Sequence, residues 1–272
     1  VRLRIATIIV SLALSLCVPH GLCAQNPDTL TPDQSTAKAK QIMNQLVEAM
    51  GGQKFLAAKG SECNGRVAQF GHNGEMSGYI DFHEYWQFPD KKRTDLGKKG
   101  NIIDLFFGDE GWTLDRGGVS EEAATVVSDF QGALKRNLNT LLRQRMHEQG
   151  TSYRFAGMAV VDLKPVDWVE ITDADEQMMR VAVDRSTHLP VRSVAVIDDR
   201  ENSVKIEEVT VYTNFQSVDG VNMPKQISRE RDGRRTAQVF YDSCQLNPSL
   251  APDFFTKAAL DKRFSELGGK KK

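Results

Sequence analysis

Apolar positions along the chain follow two rhythms. Ile42, Leu46, Val47 and Met50 recur at helical spacing, and Gly51-Gly52 ends that run. Ser35 or Thr36 is the expected N-cap. From Cys63 the period becomes two, the mark of strands with one covered face. In the stretch 79–89, Ile80, Phe82, Trp86 and Phe88 share one face with Glu84, while Tyr79, Asp81, His83 and Tyr85 share the other. Lys91, Lys92, Arg93, Lys98 and Lys99 read as flanks of the next strand, and the run 102–107 is apolar enough to be covered on both faces. Trp112 and Leu114 begin a return strand.

Residues 121–147 break the alternation. Phe130, Leu134, Leu138, Leu141, Leu142 and Met146 form one helical stripe, and Gly150 stops it. Strands then resume to Leu246. Asp198-Asp199, Asp219-Gly220 and Asp232-Gly233 read as turns, because glycine takes positive φ without a Cβ clash. Pro224 gives no N–H to a ladder, so the strand after Asp219-Gly220 starts beside it or lies at an edge there. Val204 and Ile206 fall out of phase with Val209 and Val211, which implies a bulge near Glu207-Glu208 or a change of covered face. A short helix is expected over 258–267.

About ten strands and two or three helices result, with no β-α-β rhythm. The expected fold is α+β: a curved antiparallel β-sheet, an unclosed half-barrel, with helices covering the concave face. It occupies residues 35–267 as a single domain. Residues 25–34 read as a flexible leader and 268–272 as a tail.

The N-terminus reads as a secretory signal. Arg2 and Arg4 precede an apolar run over 5–18, and Leu22-Cys23-Ala24 resembles a cleavage site, so residues 1–24 are expected to be removed near Ala24. Removal takes two arginines and no acid, moving the net charge from −1 to −3. That balance gives no basic face for nucleic acid. Cys63 and Cys244 then remain in an oxidising compartment. Both a disulfide and two buried thiols stay open, since pairing requires the first and last strands to be neighbours.

Catalytic patterns do not emerge. His72, His83, His147 and His188 are widely spaced, with no metal-ligand spacing. No nucleophile elbow, phosphate loop or dinucleotide fingerprint is present. The acidic turns around Asp173, Asp175, Glu176 and around Asp198, Asp199, Glu201 lack the ordered spacing of a calcium loop. No enzyme activity, metal or cofactor is expected.

Several short motifs occur in an order that resembles the periplasmic outer-membrane lipoprotein carrier and sorting superfamily (LolA/LolB/RseB-like). They are Ala49-Met50-Gly51-Gly52, Trp86-Gln87-Phe88-Pro89-Asp90-Lys91-Lys92-Arg93, Phe107-Gly108-Asp109-Glu110-Gly111-Trp112, the acidic turn 184–190, the hairpin 212–224 and the closing segment 247–255. The resemblance covers roughly residues 40–257. It implies an unclosed barrel with a helical lid over an apolar cavity, in a soluble periplasmic protein that binds a lipid or the acyl chains of a lipoprotein. Ile80, Phe82, Trp86, Phe88, Leu105, Phe107 and Trp112 would line it from the sheet, and Leu134, Leu138 and Leu141 from the lid. Glu84 would be a polar group at the rim, and Arg93 a contact for a ligand anion. The same aromatic face also reads as solid core. In that case the chain is an envelope signalling or scaffold protein, acting on an inner- or outer-membrane partner through its surface.

Overall fold

The computed structural model describes residues 29–199 and 204–268. The expected signal segment, residues 25–28 of the leader, Glu201 and all of the tail except Gly268 lie outside them. In chain order the elements are α1 (Pro32–Met50), α2 (Gln53–Ala57), β1 (Gly60–Phe70), β2 (Met76–Gln87), β3 (Lys91–Leu96), β4 (Ile102–Phe107), β5 (Glu110–Asp115) and β6 (Gly118–Glu121). Then come α3 (Ala124–Lys135), α4 (Leu138–Arg143), β7 (Ser152–Val161), β8 (Lys164–Thr172), β9 (Met178–Asp184), β10 (Pro190–Asp199), β11 (Val204–Val218), β12 (Val221–Arg231), β13 (Arg234–Leu246) and α5 (Lys257–Glu266).

All thirteen strands form one antiparallel sheet in the order β6-β5-β4-β3-β2-β1-β13-β12-β11-β10-β9-β8-β7. The chain starts mid-sheet, meanders to one edge, crosses on α3 and α4 to the other edge, and meanders back. The last strand therefore lies against the first. Cys63 and Cys244 face each other directly in that seam, Cα–Cα 4.1 Å, and are joined by a disulfide. Edges β6 and β7 do not pair, so the half-barrel stays open.

The turn chemistry reads as expected. Asp219-Gly220 (φ 53° and 85°) and Asp232-Gly233 (φ 47° and 72°) are two-residue hairpins with both central residues left-handed. Pro224 lies where β12 has not yet met β13, whose pairing begins at Gln226. No bulge occurs at Glu207-Glu208. The β10–β11 ladder runs unbroken through it, so the phase slip is the change of covered face. Asp198-Asp199 is not a turn but the end of β10.

Helix α1 begins earlier than the leader reading allows. Thr31 and Gln34 form a capping box, Gln34 N donating to Thr31 Oγ1 (3.3 Å) and Thr31 N to Gln34 Oε1 (2.9 Å). Ser35 and Thr36 do not cap the helix. They bind it to β7, Ser35 Oγ accepting from Phe155 N (2.9 Å) and Thr36 Oγ1 donating to Tyr153 O (3.1 Å). At the other end Gly51 takes φ 127°, and a Cβ there would stand 2.7 Å from Gly220 O. The single middle helix is in fact two, broken where Asn137 leaves the helix and accepts from Asn139 N.

Two cores result. Ala39, Ile42, Met43, Leu46 and Met50 of α1, with Leu138, Leu141 and Leu142 of α4, pack on Tyr153, Phe155, Val169, Ile171, Met179 and Val181. That side of the sheet is called inner below. On the outer side, Leu260 of α5 and Phe255 cover Ile103, Leu105 and Leu114. Helix α5 is thus not on the inner face with the others. The expected strand over 102–107 is not covered on both faces: Ile103 and Leu105 are fully buried on the outer side, but Phe107 on that side is 39% exposed and Ile102 on the inner side 44%.

The candidate site: an apolar shelf beside helix α3

Register, read across the seam, shows what the inner face carries beyond α1. One row runs Tyr212, Ile227, Val239, Val67, Ile80. The next runs Tyr241, Gly65, Phe82, Leu96, Ile102. Directly opposed residues share a face, so these rows make a continuous apolar shelf across β11 to β4. Phe82 is buried, with its ring 5.7 Å from that of Tyr241. Val67, Leu96, Ile227 and Val239 are half-buried. Ile80 and Ile102 are 41% and 44% exposed. Gly65 sits in the middle at a bulge, where a Cβ would lie 2.0 Å from Phe240 O; the close approach of β13 admits no side chain.

A polar band borders the shelf. It runs Cys244, Cys63, Glu84, Thr94, Asp104, Thr113. Glu84 meets Lys92 Nζ at 2.8 Å and accepts from the Tyr241 hydroxyl at 3.4 Å. Burial alone would raise the Glu84 pKa. The Lys92 charge and hydrogen bond outweigh it and hold the carboxyl below its ordinary value. Burial, with Glu84 adding to it, pushes Tyr241 well above 10. Thr113 Oγ1 lies within hydrogen-bond reach of Asp104 (3.2 Å) and of Glu122, and its one proton serves only one of them. Burial raises the Asp104 pKa, and the neighbouring Glu122 charge adds to the rise.

Past the band lies an aromatic cluster roofed by α3. Phe130 stacks on Phe106 (4.4 Å) and on Trp86 (6.5 Å), and Trp86 on Phe88 (6.4 Å). The Arg143 guanidinium lies over both Phe55 (4.1 Å) and Phe88 (4.3 Å), and its pKa is lowered by burial to about 10. Helix α3 has no side-chain N-cap at Ala123, and Val127 is its one buried residue. Gln131 Nε2 donates to Gly108 O (3.1 Å), Lys135 lies 3.4 Å from Asp175, and Arg145 donates to Lys135 O. At its end, Arg136 binds Glu208 at 2.7 Å.

The residues expected to line one cavity divide between two faces. Ile80, Phe82, Glu84, Trp86 and Phe88 are on the inner face as read. Arg93, Leu105 and Trp112 pair in one row with Tyr85, so they are on the outer face with Phe107. Leu105 and Trp112 belong to the α5 core, and Phe107 lies exposed beneath Lys91. Arg93 is no free anion contact. It is buried, bidentate to Asp95 (2.7 and 2.9 Å), and stacked on Phe254. Leu138 and Leu141 are buried under α1, and Leu134 is half-buried on α3. Phe106, Phe130, Tyr212 and Tyr241 are aromatic residues that the sequence reading left out of the site. Phe106 sits one position from two residues that were chosen, and in a strand one position is the opposite face.

Elsewhere, a recess of about 680 Å³ runs along the solvent side of α1, lined by Gln41, Asn44, Gln45 and Glu48 and, from the turn after β9, Thr187 and His188. His83 is held by Glu62 (3.1 Å) and Tyr85 (3.3 Å) on the outer face. Among the described residues no group of three His, Cys, Asp or Glu is placed to hold a metal, and no helix is long and apolar enough to cross a membrane.

No protein-family model and no curated protein matches the chain. Solved structures do. A DUF1329 family protein from Desulfovibrio piger is 15% identical with TM-score 0.59, over 82% of this chain and 98% of that one. A LolA superfamily protein from Nitrosomonas europaea is 13% identical with TM-score 0.54, over 82% and 99%. An outer membrane lipoprotein-sorting protein domain from Vibrio parahaemolyticus is 11% identical with TM-score 0.56, over 83% and 99%. At such identities the likeness is one of architecture, and in architecture this chain has the LolA-like fold: an unclosed antiparallel sheet with helices against its inner face.

Proposed function

We propose that the protein is a non-enzymatic carrier of the periplasm, exported by cleavage near Ala24, that holds a lipid or the acyl chains of a lipoprotein against its inner face. The observation that carries this reading is the in-register shelf of Val67, Ile80, Leu96, Ile102, Ile227 and Val239, left half-open beside α3, whose one buried residue is Val127. Under α1 the inner face is filled with side chains, so the ligand position is the shelf and the Trp86–Phe106–Phe130 cluster rather than an enclosed chamber. Each methylene laid on the shelf gains up to about 0.8 kcal/mol by leaving water. Tilting of α3 would uncover Phe106 and Trp86 as a second apolar patch across the polar band from the shelf.

The test is native mass spectrometry of protein exported in a Gram-negative host and purified without detergent, followed by solvent extraction and by titration with an apolar fluorescent dye. A bound lipid, and dye uptake weakened at least about tenfold in I80E/L96E, are expected. A clean apoprotein that ignores the dye refutes the carrier reading. The second reading, a scaffold acting on an envelope protein, draws on the recess along α1. It predicts loss of a protein partner in Q41E/Q45E with dye uptake untouched.

A further inference from the structure

Among the described residues the two most exposed large hydrophobic side chains are both in the β7–β8 hairpin: Leu163, 96% exposed, and Val160, 72%. Val161 pairs with Lys164, so Asp162 and Leu163 are the two central residues of a tight turn, with φ 48° and 64°. Among the described residues this left-handed two-residue turn occurs at two other places, and both times its second residue is glycine, Gly220 or Gly233. At the third it is leucine. A Cβ-bearing, bulky residue is disfavoured in that conformation. At 96% exposure no packing within the chain compensates. The leucine is therefore explained by something outside the chain.

The kind of partner follows from shape and area. A specific protein interface removes roughly 800 Å² from each side. A convex tip with two aliphatic side chains falls far short of that and offers no hollow to be filled. A bilayer surface accepts a convex apolar point without shape complementarity. The surroundings suit headgroups. Lys164 adjoins the leucine, and the Asp162 carboxylate on its other side is neutralised by Arg192 at 3.3 Å. Long basic side chains at this depth place their charge among phosphates and their stems in the acyl boundary.

We propose that the β7–β8 tip is a membrane-contact point, with Leu163 and Val160 entering the interfacial layer of an anionic bilayer and Lys164 at its headgroups. This does not rest on the carrier reading and stands if the shelf binds nothing.

The test uses the full chain with vesicles of phosphatidylethanolamine and phosphatidylglycerol (3:1), made with or without bromine on the acyl chains. In L163W the emission in excess of wild type should shift to the blue on vesicles and be quenched by bromine. L163G should bind vesicles about tenfold more weakly, the loss of one leucine side chain from the boundary. Its thermal midpoint should be equal or higher, because glycine suits this turn better. Excess emission that neither shifts nor quenches overturns the proposal, as does L163G binding equal to wild type or a wild-type chain that ignores the vesicles. A lower midpoint in L163G also counts against it, since the leucine would then be structural.

Discussion

The Cys63–Cys244 bond closes the one place where the two ends of the fold meet, and cutting it has a calculable effect. The strands β1–β6 and β7–β13 are each meanders of near neighbours in sequence. They join in the sheet only along the β1–β13 ladder, from Ser61 to Gln69. The two sulfurs are 181 residues apart. In the chain-entropy account, a cross-link over that separation removes about 5 kcal/mol of unfolded-state freedom. For a domain of this size that corresponds to a fall of roughly 10–20 °C in thermal midpoint. The perturbation is C63S/C244S, which keeps small side chains in the seam and leaves the ladder intact. Wild-type protein in reductant serves as a second route to the same state. Circular dichroism melts of both should coincide below the oxidised protein, and the urea m-value should rise because the unfolded chain expands. A fall of less than about 3 °C would refute the reasoning, because the unfolded chain would then already be compact about the seam.

Other outcomes follow from the buried groups. Glu84 has a depressed folded pKa, so its contribution is full above its ordinary value of 4.5 and is lost as pH falls through the lower folded value; urea midpoints of E84Q between pH 3 and 7 should lack that acid loss. K92M leaves Glu84 without its ammonium and should cost about 2 kcal/mol at pH 7, with E84Q/K92M recovering part of it in the same assay. Asp104 has a raised pKa, so its contribution is present below its ordinary 3.8 and is lost as pH rises through the folded value; D104N should raise the midpoint at pH 7 and leave it unchanged near pH 3. Leu142 is fully buried and L142A should lose about 2–5 kcal/mol, whereas F130A, on half-buried α3, should lose about 1–2 kcal/mol and speed dye entry in stopped flow.

Much of this protein is local in origin and legible in the sequence. Positive φ at a turn is a matter of one residue's sterics, so Asp219-Gly220 and Asp232-Gly233 mark hairpins without reference to anything distant. Side-chain alternation is equally local, and it puts Ile80, Phe82, Glu84, Trp86 and Phe88 together on one face. The strand β3 was hidden because Lys-Lys-Arg-Thr-Asp-Leu has no apolar rhythm. It is a strand because each face neutralises its charges, Lys92 on Glu84 and Arg93 on Asp95. The rest belongs to tertiary structure. Alternation says that Leu105 and Phe106 point apart but not which of them meets α5 and which meets α3. Whether Cys63 meets Cys244 depends on the last strand returning beside the first, after 181 residues. A local pattern specifies a face only up to a reflection, and what covers that face is chosen by contacts between elements far apart in the chain.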